Sequence, residues 1–201
     1  MKLGLFTTLV LVALMVNPVL AQSSASQWNL PVKISNTNTF VRFDVDTTWH
    51  VVEGNVGQPS GRIWLESATD PNSIRAELRF QVGSFDTGNG SRDKEMRTVM
   101  SADMYPDVTF IAQQVVGLCS PSSLGNGQTC SATLEGAVTI RNITKPITLP
   151  IAVTRRANTF EIVGKTSLMW NEFGVEDPSI FIARVDKAVQ ISFKISLPDR
   201  I

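Results

Sequence analysis

The 201-residue chain contains one histidine, His50, one tyrosine, Tyr105, and two cysteines, Cys119 and Cys130. That scarcity argues against a metal centre, because His50 lies in "TWHVVEG" with no further His or Cys nearby and a bound transition metal needs three or four such ligands. His50 therefore reads as a surface or turn residue. Charge of one sign is also lacking: 18 Lys and Arg stand against 18 Asp and Glu, so no basic stripe is available and nucleic acid is not an expected partner. No Ser-centred nucleophile elbow or paired-Cys motif occurs, and the Gly-rich "TGNGS" lacks the Lys and the spacing of a phosphate loop. With so few titratable groups that could converge in a cleft, the chain is expected to be no enzyme, with no catalytic residues, metal or cofactor. Beyond the N-terminus no segment approaches the ~20 apolar residues of a membrane-spanning helix.

The N-terminus itself is different. Lys2 precedes a continuous apolar stretch over residues 3–16, and "VLA" ends at Ala21. This pattern predicts a secretory signal peptide over 1–21, cleaved after Ala21. The expected product is a single domain over 22–201, without a transmembrane segment, in the periplasm or secreted. Cys119 and Cys130 bracket "SPSSLGNGQT", a Gly/Pro/Ser loop. In an oxidising compartment they are expected to form a disulfide that pins a long hairpin.

Most of the remaining chain alternates apolar and polar residues with period two. Val189, Ile191, Phe193, Ile195 and Leu197 do so near the C-terminus, as do Ile74, Ala76, Leu78, Phe80 and Val82. Further sets begin at Val41, Ile63, Val108, Leu134, Ile147 and Phe160, giving about eight strands separated by turns such as "GQPSG", "DPNS" and "RANT". Strict alternation means one buried and one solvated face per strand, as in antiparallel sheets. A chain of such strands must hide its edges, and a closed up-and-down barrel does so more naturally here than a sandwich. The cysteines flank one loop, unlike those of an immunoglobulin domain.

One stretch, "SRDKEMRTVMSADMYP", breaks the alternation. Ser91 is a candidate N-cap, and Asp93 and Glu95 suit the first turn of a helix. Met96, Val99 and Met100 form one apolar face, and Tyr105-Pro106 is expected to end the helix. Such a helix would lie across one end of the barrel with its apolar face toward the mouth.

Four segments in order, "SFDTGNGSRDKEM", "YPDVTF", "LEGAVTIRNITKPITLPI" and "NEFGVEDPS…VDKAVQISFKISL", resemble the YceI-like family of exported bacterial proteins that bind polyisoprenoid-type lipids. The resemblance runs from about residue 38 to 197. It implies an all-β, eight-stranded antiparallel lipocalin-like barrel with one short helix and an apolar tunnel. Arg92 and Asp93 match the family's charged pair at the helix start. Many members carry a His two residues after that pair, where this chain has Glu95, and an Arg before the last Phe-Gly pair, where it has Met169 and Trp170.

On this reading Arg92, Met96, Met100, Phe110, Trp170, Phe173 and Phe181 are the candidate ligand-binding residues. The Arg92–Asp93 pair either anchors a headgroup or ties the helix to the barrel rim. Trp28, Trp49 and Trp64 read as core or rim packing. The expected partner is an apolar long-chain lipid or quinone, with a homodimer left open. The alternative is an envelope interaction or structural protein whose barrel is filled by its own side chains.

Overall fold

The computed structural model describes residues 31–67, 70–120, 123–180 and 182–199. The expected signal segment 1–21, Trp28 and Phe181 lie outside them. Among the described residues there are eleven strands and one α-helix. They follow in the order β1 (Val32–Ile34), β2 (Thr39–Thr47), β3 (Val51–Val56), β4 (Pro59–Leu65), β5 (Ile74–Gln81), β6 (Phe85–Asp86), α1 (Gly90–Val99), β7 (Asp107–Val116), β8 (Thr129–Ile140), β9 (Ile143–Arg156), β10 (Thr159–Met169) and β11 (Val185–Pro198). All belong to one sheet, ordered β1-β4-β5-β7-β8-β9-β10-β11-β2-β3-β6, and every pairing is antiparallel.

Two expectations need correction. The strand count is eleven rather than eight, because β1, β3 and β6 escape the alternation pattern. Nor is the sheet a closed up-and-down barrel: β11 returns to pair with β2, and β1 and β6 remain as terminal strands without pairing each other. The sheet is instead strongly curled, and local contacts draw its margins together. Gly57 N–H donates to Ser84 O (3.2 Å) and Ser84 Oγ donates to Gly57 O (2.6 Å), joining the β3–β4 corner to the β5–β6 connection. The β1–β2 turn is joined to β11 by Ser196 N–H donating to Asn38 O (2.8 Å).

The alternation works as expected within each long strand. In β7 the parity is reset by a bulge between Ala112 and Gln114, which accounts for two consecutive glutamines and returns Val115 to the interior, where it is buried. The tight hairpins β8–β9 and β9–β10 place Arg141 (φ 56°) and Ala157 (φ 47°) at positive φ, as two-residue hairpin loops demand. Among the best-buried large side chains, Phe160 and Leu197 are paired in register at the start of β10 and the end of β11, and Ile34 of β1 packs in the same core cluster as Leu197. That end of the curl is closed. The opposite end carries α1, the β2–β3 turn and the β10–β11 connection.

A cavity roofed by the helix

The inward faces of the strands do not fill the curl. They surround a cavity of about 590 Å³, lined almost entirely by carbon. Its wall is the same set of alternating positions that the strands bury: Val41 and Phe43 of β2, Leu134 and Val138 of β8, Ile191 and Phe193 of β11, with equivalents on the other strands. The filled barrel of the alternative reading is therefore not what these residues build. Of the ionisable side chains among the described residues, only His50, Arg92 and Glu95 line it, and all three belong to the mouth.

Helix α1 is seated by polar contacts at its first turn. Asn89, not Ser91, is the N-cap: its side-chain oxygen accepts from Ser91 N–H and Arg92 N–H, both at 3.1 Å. Gly88, at φ 74°, turns the chain into that cap, so "TGNGS" serves as the turn from β6 into the helix. Arg92 and Asp93 then converge on one residue, Thr87. Asp93 Oδ1 accepts from Thr87 N–H (3.0 Å) and Thr87 Oγ1–H (2.5 Å), while Arg92 donates through Nε to Thr87 Oγ1 (2.9 Å) and through Nη2 to Thr87 O (2.8 Å). The pair thus ties the helix to the chain leaving β6 through Thr87 rather than by a direct salt bridge. The hydrogen bond from the Thr87 hydroxyl holds the Asp93 carboxyl below its ordinary value. Burial opposes it, and the Thr87 amide with the Arg97 and Arg92 charges reinforces it.

The C-terminal end of the helix arrives earlier than Tyr105-Pro106. Ser101 adopts φ 52°, and its left-handed conformation stops the helix just after Val99. Val99 O then accepts from Glu176 N–H (3.4 Å), attaching the helix to the β10–β11 connection. That connection opens with a 3-10 turn over Trp170–Phe173. Trp170 Nε1–H donates to Asp186 O (2.7 Å), and Lys145 pairs with Glu172 (3.1 Å).

The predicted ligand residues divide as follows. Arg92, Met96, Met100, Phe110 and Trp170 all line the cavity. Phe173 does not: it is 2% exposed beneath the 3-10 turn and is absent from the cavity wall. A residue in a turn has no strand parity, so its aromatic character alone pointed to the wrong side. Phe181 falls outside the described residues. What the residue-by-residue reading missed is the wall itself, chiefly Phe43 and Phe193, although their alternation already marked them as inward. His50 and Trp49 are exposed in the β2–β3 turn and also edge the mouth, together with Ile180. Trp64 lies instead beneath the Arg62 guanidinium, 4.8 Å from the ring centre.

At the closed end Cys119 and Cys130 form the expected disulfide, with Cα atoms 6.1 Å apart, across the β7–β8 hairpin. Both border the cavity floor. Leu124 of the same loop is held by Arg155, which donates to its carbonyl (2.9 Å) and pairs with Asp199 (2.8 Å). Among the described residues no three His, Cys, Asp or Glu side chains gather as a metal site, and no helix is long and apolar enough to cross a membrane.

Solved structures with the same curled sheet include BcnA of Burkholderia cenocepacia, at TM-score 0.65 and 21% identity, covering 79% of this chain and 96% of that one. A polyisoprenoid binding domain from Saccharophagus degradans aligns at TM-score 0.66 and 14% identity, covering 82% and 95%. The YCEI protein of Campylobacter jejuni aligns at 0.59 and 17%, covering 75% and 86%. At these identities the likeness establishes the fold. No curated protein matches the chain significantly. The family profile described as YceI-like domain, however, matches residues 32–197, which is nearly every residue that builds the sheet, the helix and the cavity. The chain belongs to the YceI-like domain family.

Proposed function

We propose that this protein is a non-enzymatic carrier, periplasmic or secreted, that holds a long-chain apolar molecule such as a polyisoprenoid or an isoprenoid quinone inside the curled sheet. The observation that carries this reading is the cavity of about 590 Å³ with its almost wholly apolar wall. A space of this size lies within the range of ligand pockets. Every 100 Å² of apolar ligand surface removed from water there contributes roughly 2.5 kcal/mol before ordering costs. The Saccharophagus neighbour is itself described as polyisoprenoid binding, which supports the choice of ligand class. Met96 and Met100 suit the roof, because the unbranched thioether adapts to an irregular chain. The polar groups at the mouth, Arg92, Glu95 and His50, leave a headgroup in water or against charge while the tail is buried.

Organic extraction of the purified protein followed by mass spectrometry tests the reading. A stoichiometric long-chain lipid in the extract is the expected result. Absence of any such lipid, together with no binding of a fluorescent polyprenol or quinone analogue by the extracted protein, would refute it.

A further inference from the structure

Three inward positions in the wall hold glycine where a side chain is expected, and each is covered by a phenylalanine ring from the neighbouring strand. Gly54 of β3 is paired in register with Phe43 of β2. A Cβ on Gly54 would stand 2.1 Å from the Phe43 Cζ and 2.6 Å from both Cε atoms, so the far edge of the ring rests on the glycine backbone. Gly164 of β10 is paired with Phe193 of β11, whose Cζ would be 2.5 Å from an added Cβ. Gly136 of β8 lies beside Phe110 of β7, with Cε2 at 3.1 Å from that point. All three phenylalanines line the cavity. A ring that would otherwise project into the lumen is instead laid along the wall.

From this geometry we infer that the Gly54–Phe43 and Gly164–Phe193 pairs set the bore of the cavity, and so decide that it admits a branched, isoprenoid-type chain rather than only a thin straight one. The inference rests on the ligand-binding function proposed above and deepens it. A methyl group on either glycine must displace the ring. The backbone of the two paired strands blocks movement outward, so the ring swings into the lumen. A benzene-sized cavity is roughly 150 Å³, about a quarter of the space available. Gly136 is the poorer test position, because an added Cβ would also stand 2.3 Å from the Ile111 carbonyl oxygen and shift backbone.

The experiment titrates a fluorescently labelled polyprenol, and a straight-chain alcohol with the same label, into wild type, Gly54→Ala, Gly164→Ala and the double variant Gly54→Ala/Phe43→Leu, with melting curves for each. Both glycine variants are expected to weaken polyprenol binding by at least about tenfold and straight-chain binding by less than about threefold. The double variant, having no ring to displace, is expected to regain the polyprenol. Glycine variants that bind polyprenol like wild type overturn the inference while leaving the carrier function intact, and a double variant that does not recover overturns it as well. A wild type that binds neither probe removes the carrier function and the inference together. Should Gly54→Ala not fold, Gly164→Ala and its partner Gly164→Ala/Phe193→Leu decide by the same criteria. If neither pair yields a folded, bore-narrowed protein, the glycines serve folding and the inference fails.

Discussion

Replacing Asp93 by alanine removes the acceptor that serves both the amide and the hydroxyl of Thr87 and leaves a part-buried N–H unpaired, at a cost of about 1–3 kcal/mol. For a protein of this size that corresponds to a melting temperature lower by roughly 2–4 °C per kcal/mol, with or without ligand. The same contact makes stability depend on pH. The folded Asp93 carboxyl titrates below its ordinary value of 3.8, chiefly because of the Thr87 hydrogen bond. Its contribution is therefore complete above about pH 4 and is lost as pH falls through the lower, folded value. Glu161, lowered by its hydrogen bond with Lys194, adds a parallel acid loss that an Asp93 substitution does not touch. The informative quantity is thus the gap between wild type and Asp93→Asn, which should be wide at pH 7 and narrow progressively as pH falls below the ordinary value of 3.8 and through the lower, folded one. A gap independent of pH would show that the carboxylate charge does not matter to the helix seat. Met96 is the contrasting residue. It lines the cavity without polar contacts, so Met96→Lys should retain the fold and weaken polyprenol binding by more than about tenfold, since an unpaired charge would face the apolar chain.

At the scale of elements, the β7–β8 hairpin depends on a covalent link at the floor. The Cys119–Cys130 bridge spans 11 residues, and the chain-entropy treatment assigns such a loop about 3 kcal/mol. Thiol titration of the denatured, unreduced protein should find no free thiol, and Cys119→Ser/Cys130→Ser should melt roughly 6–12 °C lower. The elements that could be read from the sequence are those whose side chains keep one parity over enough residues. β5, β8, β9 and β11 do so, and their partners follow from antiparallel order. β1 has three residues and β6 two, too few to show a period. β3 was hidden for a different reason: in "VVEGNV" the central inward position is Gly54, and the ring that occupies it belongs to Phe43 on another strand. A hydrophobic pattern cannot register a residue whose place is filled from elsewhere. The helix was visible as a break in alternation, but its true cap, Asn89, lies two residues before the expected Ser91, because the Asn89 side chain accepts from the amides of Ser91 and Arg92. Phe173 shows the opposite limit. Nothing in an aromatic residue of a turn tells whether it faces a cavity or the body of the fold.

For the whole molecule the consequential feature is a sheet that curls around space instead of around its own side chains alone. Protein interiors are normally packed to crystal density, whereas the side chains of this sheet leave about 590 Å³ between them, so their inner surfaces can make dispersion contacts with a guest that they do not make with one another. The disulfide floor, the Thr87-centred helix seat and the glycine–phenylalanine pairs hold the wall in place without filling it. A ligand that fills the lumen makes those contacts only in the folded state, so it should stabilise the whole sheet and not one loop. Linkage sets the size: at a free ligand concentration 100 times Kd the gain is about 2.7 kcal/mol, or roughly 5–11 °C in melting temperature for a chain of this length. Protein stripped by organic solvent and refolded should therefore melt lower than protein as purified. Added polyprenol should raise the melting temperature in a concentration-dependent way, whereas a short-chain alcohol at the same concentration should not. Hydrogen exchange should show the added protection spread over β2, β8, β10 and β11, which share the wall. Protection confined to α1, or a melting temperature indifferent to polyprenol, would mean that the lumen does not take the chain and that the carrier function is wrong.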